Sequence, residues 1–293
     1  MNYRKAKQAS YYSFVLPAFV LYALVLVVPV LFSVGLGFFR WRGYDSPEFI
    51  GLGNYVRMLG DGVFHIALRN NLLVVLVSVL GQVPLGMFLA YILHRKMTRW
   101  PGFFKAMIFL PITVSSVIIA QLWNQIFSPV GLFPSMVRAI SGNPDYIMTI
   151  VENRTFAMVP IMFVLLWQHT SLYMVIFLAN MQRIPNSLIE AAKLDGASEG
   201  QVFLRVVAPM QGYVIFINSV LAISGSFKSF DLVFSMTRGG PANFTELIAI
   251  YMYNSTFVHQ NYGFGSALAV VIVLFCVVSV LAARAISNKL SME

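Results

Sequence analysis

Charge is what this sequence most conspicuously lacks. Only 11% of its 293 residues are charged, against ~25% in an ordinary soluble domain. With 58% hydrophobic residues and a mean hydropathy of +0.76, a water-soluble globule is excluded. Cysteine is almost absent: Cys276 is the one thiol, so no intramolecular disulfide can form and a thiolate metal site has no ligand set. No Gly-x-x-x-x-Gly-Lys-Ser/Thr phosphate loop and no His-Glu-x-x-His pair occurs. No catalytic residue or metal ligand is therefore assigned. No internal repeat is evident.

Six long stretches carry no Asp, Glu, Lys or Arg: 8–39, 70–94, 106–137, 155–182, 206–227 and 247–283. A helix rises ~1.5 Å per residue, so about 20 apolar residues cross a ~30 Å hydrocarbon layer. Each stretch suffices. Barrel strands would alternate apolar and polar residues in ~10-residue segments, which these do not. The expectation is an all-α polytopic membrane protein with six transmembrane helices, near 14–38, 70–93, 104–127, 157–181, 213–236 and 263–284. The apolar part of the first stretch, Phe14 to Phe39, outlasts the 7–15-residue core of a signal peptide and reads as an uncleaved span. Pro111 should kink the third span.

Six spans place both termini on one side. That side carries twelve of the twenty lysines and arginines, from Arg4, Lys5 and Lys7 to Arg284 and Lys289; the other carries seven, and Lys228 falls within a span. Basic residues favour the cytoplasm, so both termini are cytoplasmic. The net charge of +9 orients the chain in a lipid membrane, and no basic soluble domain exists to hold nucleic acid.

One cytoplasmic loop, 182–212, reads as built structure. Ser187 with Glu190, and Ser198 with Gln201, each have capping-box spacing. Gly196 stands where a left-handed helix cap belongs. The expectation is a short helix over 188–195, then a second that Pro209 closes, joined as an elbow. Read without further evidence, Glu190 is a cap and Ala191 and Ala192 are good helix formers. Read functionally, small alanines let another protein approach closely.

Glu190-Ala191-Ala192, Asp195-Gly196-Ala197, Gln201, Phe203 and Pro209 resemble the EAA loop of membrane subunits of binding-protein-dependent ABC importers. Phe49-Ile-Gly-Leu-Gly-Asn-Tyr55, Phe109-Leu-Pro111, Trp123 with Phe127 and Pro129, and Gly239-Gly-Pro241 are similar to the family's sugar branch, the maltose, glycerol-3-phosphate and multiple-sugar permeases. Two positions depart from the pattern: Ala208 precedes Pro209 where leucine is frequent, and Gly200 replaces a frequent aromatic.

The resemblance implies a type I ABC importer permease (MetI-like) fold in the cytoplasmic (inner) membrane of a bacterium. It divides the chain into an N-terminal segment 1–65 with the first span and outer loop, a type-1 transmembrane core 66–284 containing the coupling loop, and a tail 285–293. It implies four kinds of partner: a second homologous permease, a dimeric cytoplasmic ATPase, an extracellular solute-binding protein and a sugar, expected to be an oligosaccharide. ATP and Mg are used by the ATPase and no cofactor is bound by this chain. Glu190, Ala191, Ala192, Asp195, Gly196 and Ala197 would then seat in the ATPase.

Polar groups inside a bilayer tend to face a cavity or a protein partner. The fourth span holds Gln168, His169, Thr170 and Ser171 after Trp167. They read equally as sugar contacts or as interhelical hydrogen bonds with the partner permease. By offset from Glu190 the resemblance points to Gln168, His169, Ile223 and Ser226; with Trp167 and Lys228 these make up the expected substrate path. Lys228 and Asp231, three residues apart, should share a helix face, as a snorkelling ion pair or as a site for an acidic sugar. Asn243 with Glu246 could cap an outer helix from Phe244 to about Thr256. The alternative class is an ion-coupled secondary transporter, which would usually show inverted repeats and intramembrane carboxylates.

Overall fold

A computed structural model describes residues 14–142 and 156–290 of the chain. The described residues are mostly helical, with one two-stranded ribbon and connecting turns. The elements are α1 (Phe14–Leu36), β1 (Phe39–Arg40), β2 (Glu48–Phe49), α2 (Gly53–Leu59), α3 (Gly62–His94), α4 (Pro101–Thr113), α5 (Ser116–Phe127), α6 (Leu132–Ser141) and α7 (Met158–Met181). They continue with α8 (Asn186–Leu194), α9 (Glu199–Met210), α10 (Gly212–Phe227), α11 (Asp231–Thr237), α12 (Ile248–Tyr253) and α13 (Tyr262–Leu290). Arg4, Lys5 and Lys7, and Pro144 of the outer loop, lie outside the described residues.

Five runs are long and apolar enough to span a membrane: α1, α3, Ser116–Ser141, α7 and the apolar part of α13, Tyr262–Ala282; the bent pair α9 and α10 makes a sixth if taken as one span. Two expected spans are interrupted. The third breaks outright at Val114, whose backbone is extended, between α4 and α5. Thr113 Oγ1 takes the Leu110 carbonyl at 2.7 Å, the competition by which a hydroxyl ends a helix; Pro111 alone would only have bent it. The fifth ends at Phe227 and restarts as α11 at Asp231.

Proline leaves a second mark. The wide i→i+5 turns Ala23–Val27, Ser78–Gln82 and Phe203–Val207 each stop two residues before a proline, at Pro29, Pro84 and Pro209. A proline ring clashes with the carbonyl four residues earlier, and a wider turn moves that carbonyl away without ending the helix. Pro209 accordingly does not stop α9, which runs on to Met210.

The chain forms two compact units. One comprises the residues up to Asp61 with Met252–Val271. There the ribbon pairs Phe39 with Phe49 and Arg40 with Glu48, and Asn54 Nδ2 donates to Gly37 O and Phe39 O, both at 2.9 Å. No residue of α1's span is buried in the chain itself.

The other unit comprises Gly62–Tyr251 and the residues from Ile272 on, and α7 is its core. Gly86 lets α3 and α7 close: a Cβ there would stand 2.8 Å from Tyr173 Cβ and 2.9 Å from Met174 N. Asn70 and Asn71, near the start of α3, tie down the segment before α12. Asn70 Nδ2 donates to Phe244 O and Glu246 O at 2.9 Å, and Asn71 Oδ1 accepts from Ile248 N at 2.8 Å. The outer helix begins at Ile248 rather than Phe244, and Asn243 lies at φ +63° instead of capping it.

Candidate functional site

Two constructions stand out, both in the second unit. The first is the elbow. α8 starts at Asn186 behind Pro185, with no side-chain cap, so the Ser187–Glu190 box does not form: the proline's fixed φ already starts the helix. The Ser198–Gln201 box does form, with Ser198 N donating to Gln201 Oε1 at 2.8 Å. Gly196 lies at φ +84°, the left-handed conformation that costs an L side chain ~1–2 kcal/mol. Nothing stands within 4 Å of where a Cβ would be, so backbone conformation alone calls for glycine.

α8 is docked by one side. Ile189 is buried among Tyr91, Phe177, Met181, Ile184 and Val202. Glu190, Ala191, Lys193, Asp195 and Gly196 are exposed, Ala192 and Ala197 half-buried. Leu194 is 90% exposed and Leu188 is exposed on the same side. An exposed run of Leu188, Ala191 and Leu194, three residues apart, is an apolar stripe on a short helix held rigidly from behind.

Glu199 holds it. Its carboxylate accepts from Lys193 Nζ of α8 and from the Tyr91 hydroxyl of α3 at 2.7 Å, and lies 3.6 Å from Arg95 Nη2 at the end of α3. The Lys193 hydrogen bond first, then the Tyr91 bond, holds this carboxyl well below the usual range, at about 2. One residue thus joins α8, α9 and the C-terminal end of α3. Beyond it, α9 meets α10 at 75°.

The second construction is a cavity of about 240 Å³ reached from α3, α5, α7, α10 and the break before α11. Its polar lining is Ser78, Gln82, Ser116, His169, Ser226, Lys228, Ser229 and Asp231. The wide turn of α3 supplies Ser78 and Gln82. Ser226 Oγ lies 3.0 Å from Ser78 Oγ, Gln82 Nε2 donates to Leu165 O at 2.9 Å, and His169 Nδ1 is 3.2 Å from Leu165 O. Tyr173 and Phe230 add aromatic surface.

Of the residues expected along a substrate path, His169, Ser226 and Lys228 reach this wall; Trp167, Gln168 and Ile223 do not line it. Gln168 is buried, and its Nε2 donates to Ser116 Oγ at 3.2 Å, a bond between two helices of this chain. Trp167 packs edge-on to Trp123, 5.6 Å away. Lys228 and Asp231 do not share a helix face, because α10 ends between them, and among the described residues no ion pair joins them. Ser78, Gln82, Asp231's place in the wall and the Glu199 clasp were missed from the sequence. The Ser-x-x-x-Gln spacing before Pro84 was the available signal for the first two.

Residues 82–292 match the family model described as "Binding-protein-dependent transport system inner membrane component". The chain is 35% identical to the probable ABC transporter permease protein YurN of Bacillus subtilis over 267 residues, 90% of each chain. It is 33% identical to the lactose transport system permease protein LacF of Rhizobium radiobacter, covering 90% of this chain and 89% of that one. Among solved structures, a chain of a bacterial ABC transporter involved in the import of the acidic polysaccharide alginate superposes with a TM-score of 0.84 at 20% identity, covering 97% and 96%.

Proposed function

The chain belongs to the family of binding-protein-dependent transport system inner membrane components, and from that premise we propose that it is the permease subunit of an ATP-driven importer that carries a carbohydrate across the cytoplasmic membrane. Several of its relatives are sugar permeases by name, for lactose and for α-glucosides among others. Its fold is the type I importer permease fold, in up to six spans.

The observation that carries the mechanism is the elbow. α8 presents Glu190, Ala191, Leu194 and Asp195 outward while Ile189 and the Glu199 clasp fix it from behind. A separate ATPase that grips the outer face would move α8 and α9 as one body, and the 75° joint to α10 would pass that movement to a wall of the cavity. This is rigid-body switching about an interface. ATP and Mg stay with the ATPase; a second, homologous permease and an extracellular solute-binding protein complete the assembly.

The cavity suits a saccharide. Hydroxyl, amide and imidazole groups face the same space as Tyr173 and Phe230, so sugar hydroxyls and the apolar face of a ring each find a partner. At about 240 Å³ it lies below the ~300–1,000 Å³ of sites that enclose a drug-sized ligand, so it passes an oligosaccharide one ring at a time. Lys228 and Asp231 place one charge of each sign in the wall, which favours a neutral sugar over an acidic one.

Affinity purification of the tagged chain from its native membrane tests the reading. An ABC ATPase and a second permease should co-purify in stoichiometric amounts; a chain that purifies alone and still transports overturns it in favour of an ion-coupled carrier.

A further inference from the structure

The first unit carries a basic pocket that the transport reading does not use. α1 stops at Leu36 and α13 starts at Tyr262, and the two ends meet: Gly263 N donates to Trp41 O at 3.4 Å, and the Trp41 and Tyr262 rings are 5.4 Å apart. Trp and Tyr at span ends mark the head-group level of a bilayer. Just beyond these ends, Arg40, Arg42, Arg57, Asn54 and Asn261 surround a pocket of about 300 Å³.

Its charge leans positive. Arg40 pairs with Glu48 at 3.0 Å, and Arg42 lies near Asp45, whose Oδ1 accepts from Arg42 N at 2.9 Å, with the Tyr44 hydroxyl against its guanidinium; Arg57 enters no ion pair among the described residues. The Arg57 guanidinium is held 4.7 Å above the Phe264 ring. The surroundings are apolar on both sides. Val56 and Leu59 of α2, with Leu52 just before it, are exposed along one face while Asn54 and Met58 are buried on the other, the pattern of a helix lying in a membrane interface. Alternation along the ribbon sends Arg40 and Arg42 to the pocket and Phe39 and Trp41 to an open apolar groove of about 450 Å³ shared with Leu31, Phe32 and Leu36.

Exposed guanidinium forks flanked by hydrocarbon-like surface at the head-group level match an ion with a greasy tail. We propose that this pocket binds the phosphodiester head group of an anionic phospholipid, with Arg42 and Arg57 on the phosphate oxygens and an acyl chain lying along the adjoining apolar surface. Arginine suits this because its planar fork meets two phosphate oxygens at once.

Native mass spectrometry of the purified protein, with whatever subunits accompany it, tests this by titration with phosphatidylglycerol, phosphatidylcholine or inorganic phosphate. Phosphatidylglycerol should be retained about fivefold more than phosphatidylcholine, and Arg42→Gln with Arg57→Gln should abolish that preference. Arg42→Lys with Arg57→Lys should keep most of it, which separates lost charge from a lost fold. Equal retention of the two lipids, or an undiminished preference in the glutamine variant, overturns the proposal. So does displacement of the lipid by millimolar phosphate, which would mean a soluble-anion site. Loss of accompanying subunits from the glutamine variant with lipid retention unchanged also overturns it, and would mean a protein contact.

Discussion

The Tyr91 hydroxyl donates to the Glu199 carboxylate at 2.7 Å, so the C-terminal end of a long apolar helix is tied to an elbow 108 residues further along the chain. The same carboxylate takes Lys193 from the exposed helix. Glu199→Gln keeps the shape and removes the charge. An exposed pair of this kind stabilises by ~0.2–1 kcal/mol, so membrane levels should hold. Uptake per ATP hydrolysed should fall about fivefold, the equivalent of ~1 kcal/mol in coupling; simultaneous measurement of both rates checks it.

The clasp has a definite pH signature. The Glu199 carboxyl sits at about 2 against an ordinary 4.5. A lowered value means that its contribution is complete above about 4.5 and is lost as pH falls toward 2. Coupling should therefore be flat from pH 5.5 to 8 as far as Glu199 is concerned. A coupling ratio measured across that range in proteoliposomes checks this, and a wild-type inflection near pH 6 absent from Glu199→Gln would contradict it.

Gly196 should be sensitive to backbone preference and not to bulk. Its φ of +84° is accompanied by open space, so Gly196→Asn, which tolerates the left-handed region, should keep most uptake. Gly196→Val, β-branched, should lose most of it while ATP hydrolysis continues. Wild-type transport by Gly196→Val at normal membrane levels would contradict the elbow's role.

Gly86 should respond in the opposite way. A side chain there meets Tyr173 and the α7 backbone, so Gly86→Val should destabilise the protein by ~1–3 kcal/mol through overpacking. Thermal unfolding in detergent reads this directly.

In the cavity, Ser226→Ala and Lys228→Met should raise the sugar concentration needed for half-maximal uptake about threefold or more, leaving ATP hydrolysis by the assembly intact, because each removes ~1 kcal/mol of polar contact. Trp167→Phe, away from the wall, should not. Uptake titrations of the three variants compare them.

The legible part of this molecule was what composition and local chemistry dictate. Charge-free runs show where the spans run, because exclusion of charge from lipid is strong and local. Gly196 and the Ser198–Gln201 box could be read because each depends on residues within one turn. The Ser187 box could not, since Pro185 had already started the helix. The break at Val114 was hidden because the charge-free run 106–137 continues through it, whereas the break after Phe227 falls where the run 206–227 ends at Lys228, a signal the expected span 213–236 ran across. The cavity and the clasp join residues such as Ser78 and Ser226, 148 positions apart, or Tyr91 and Glu199. No spacing rule reports such a meeting; only the packing of α3 against α7, α9 and α10 brings it about.

The most direct measurement is saccharide accumulation in sealed proteoliposomes containing the purified assembly, with the solute-binding protein outside and ATP either enclosed or omitted. The account predicts uptake against a gradient only with enclosed hydrolysable ATP, and its loss on Gly196→Val. Accumulation by this chain alone, without nucleotide or companion subunits, would contradict it.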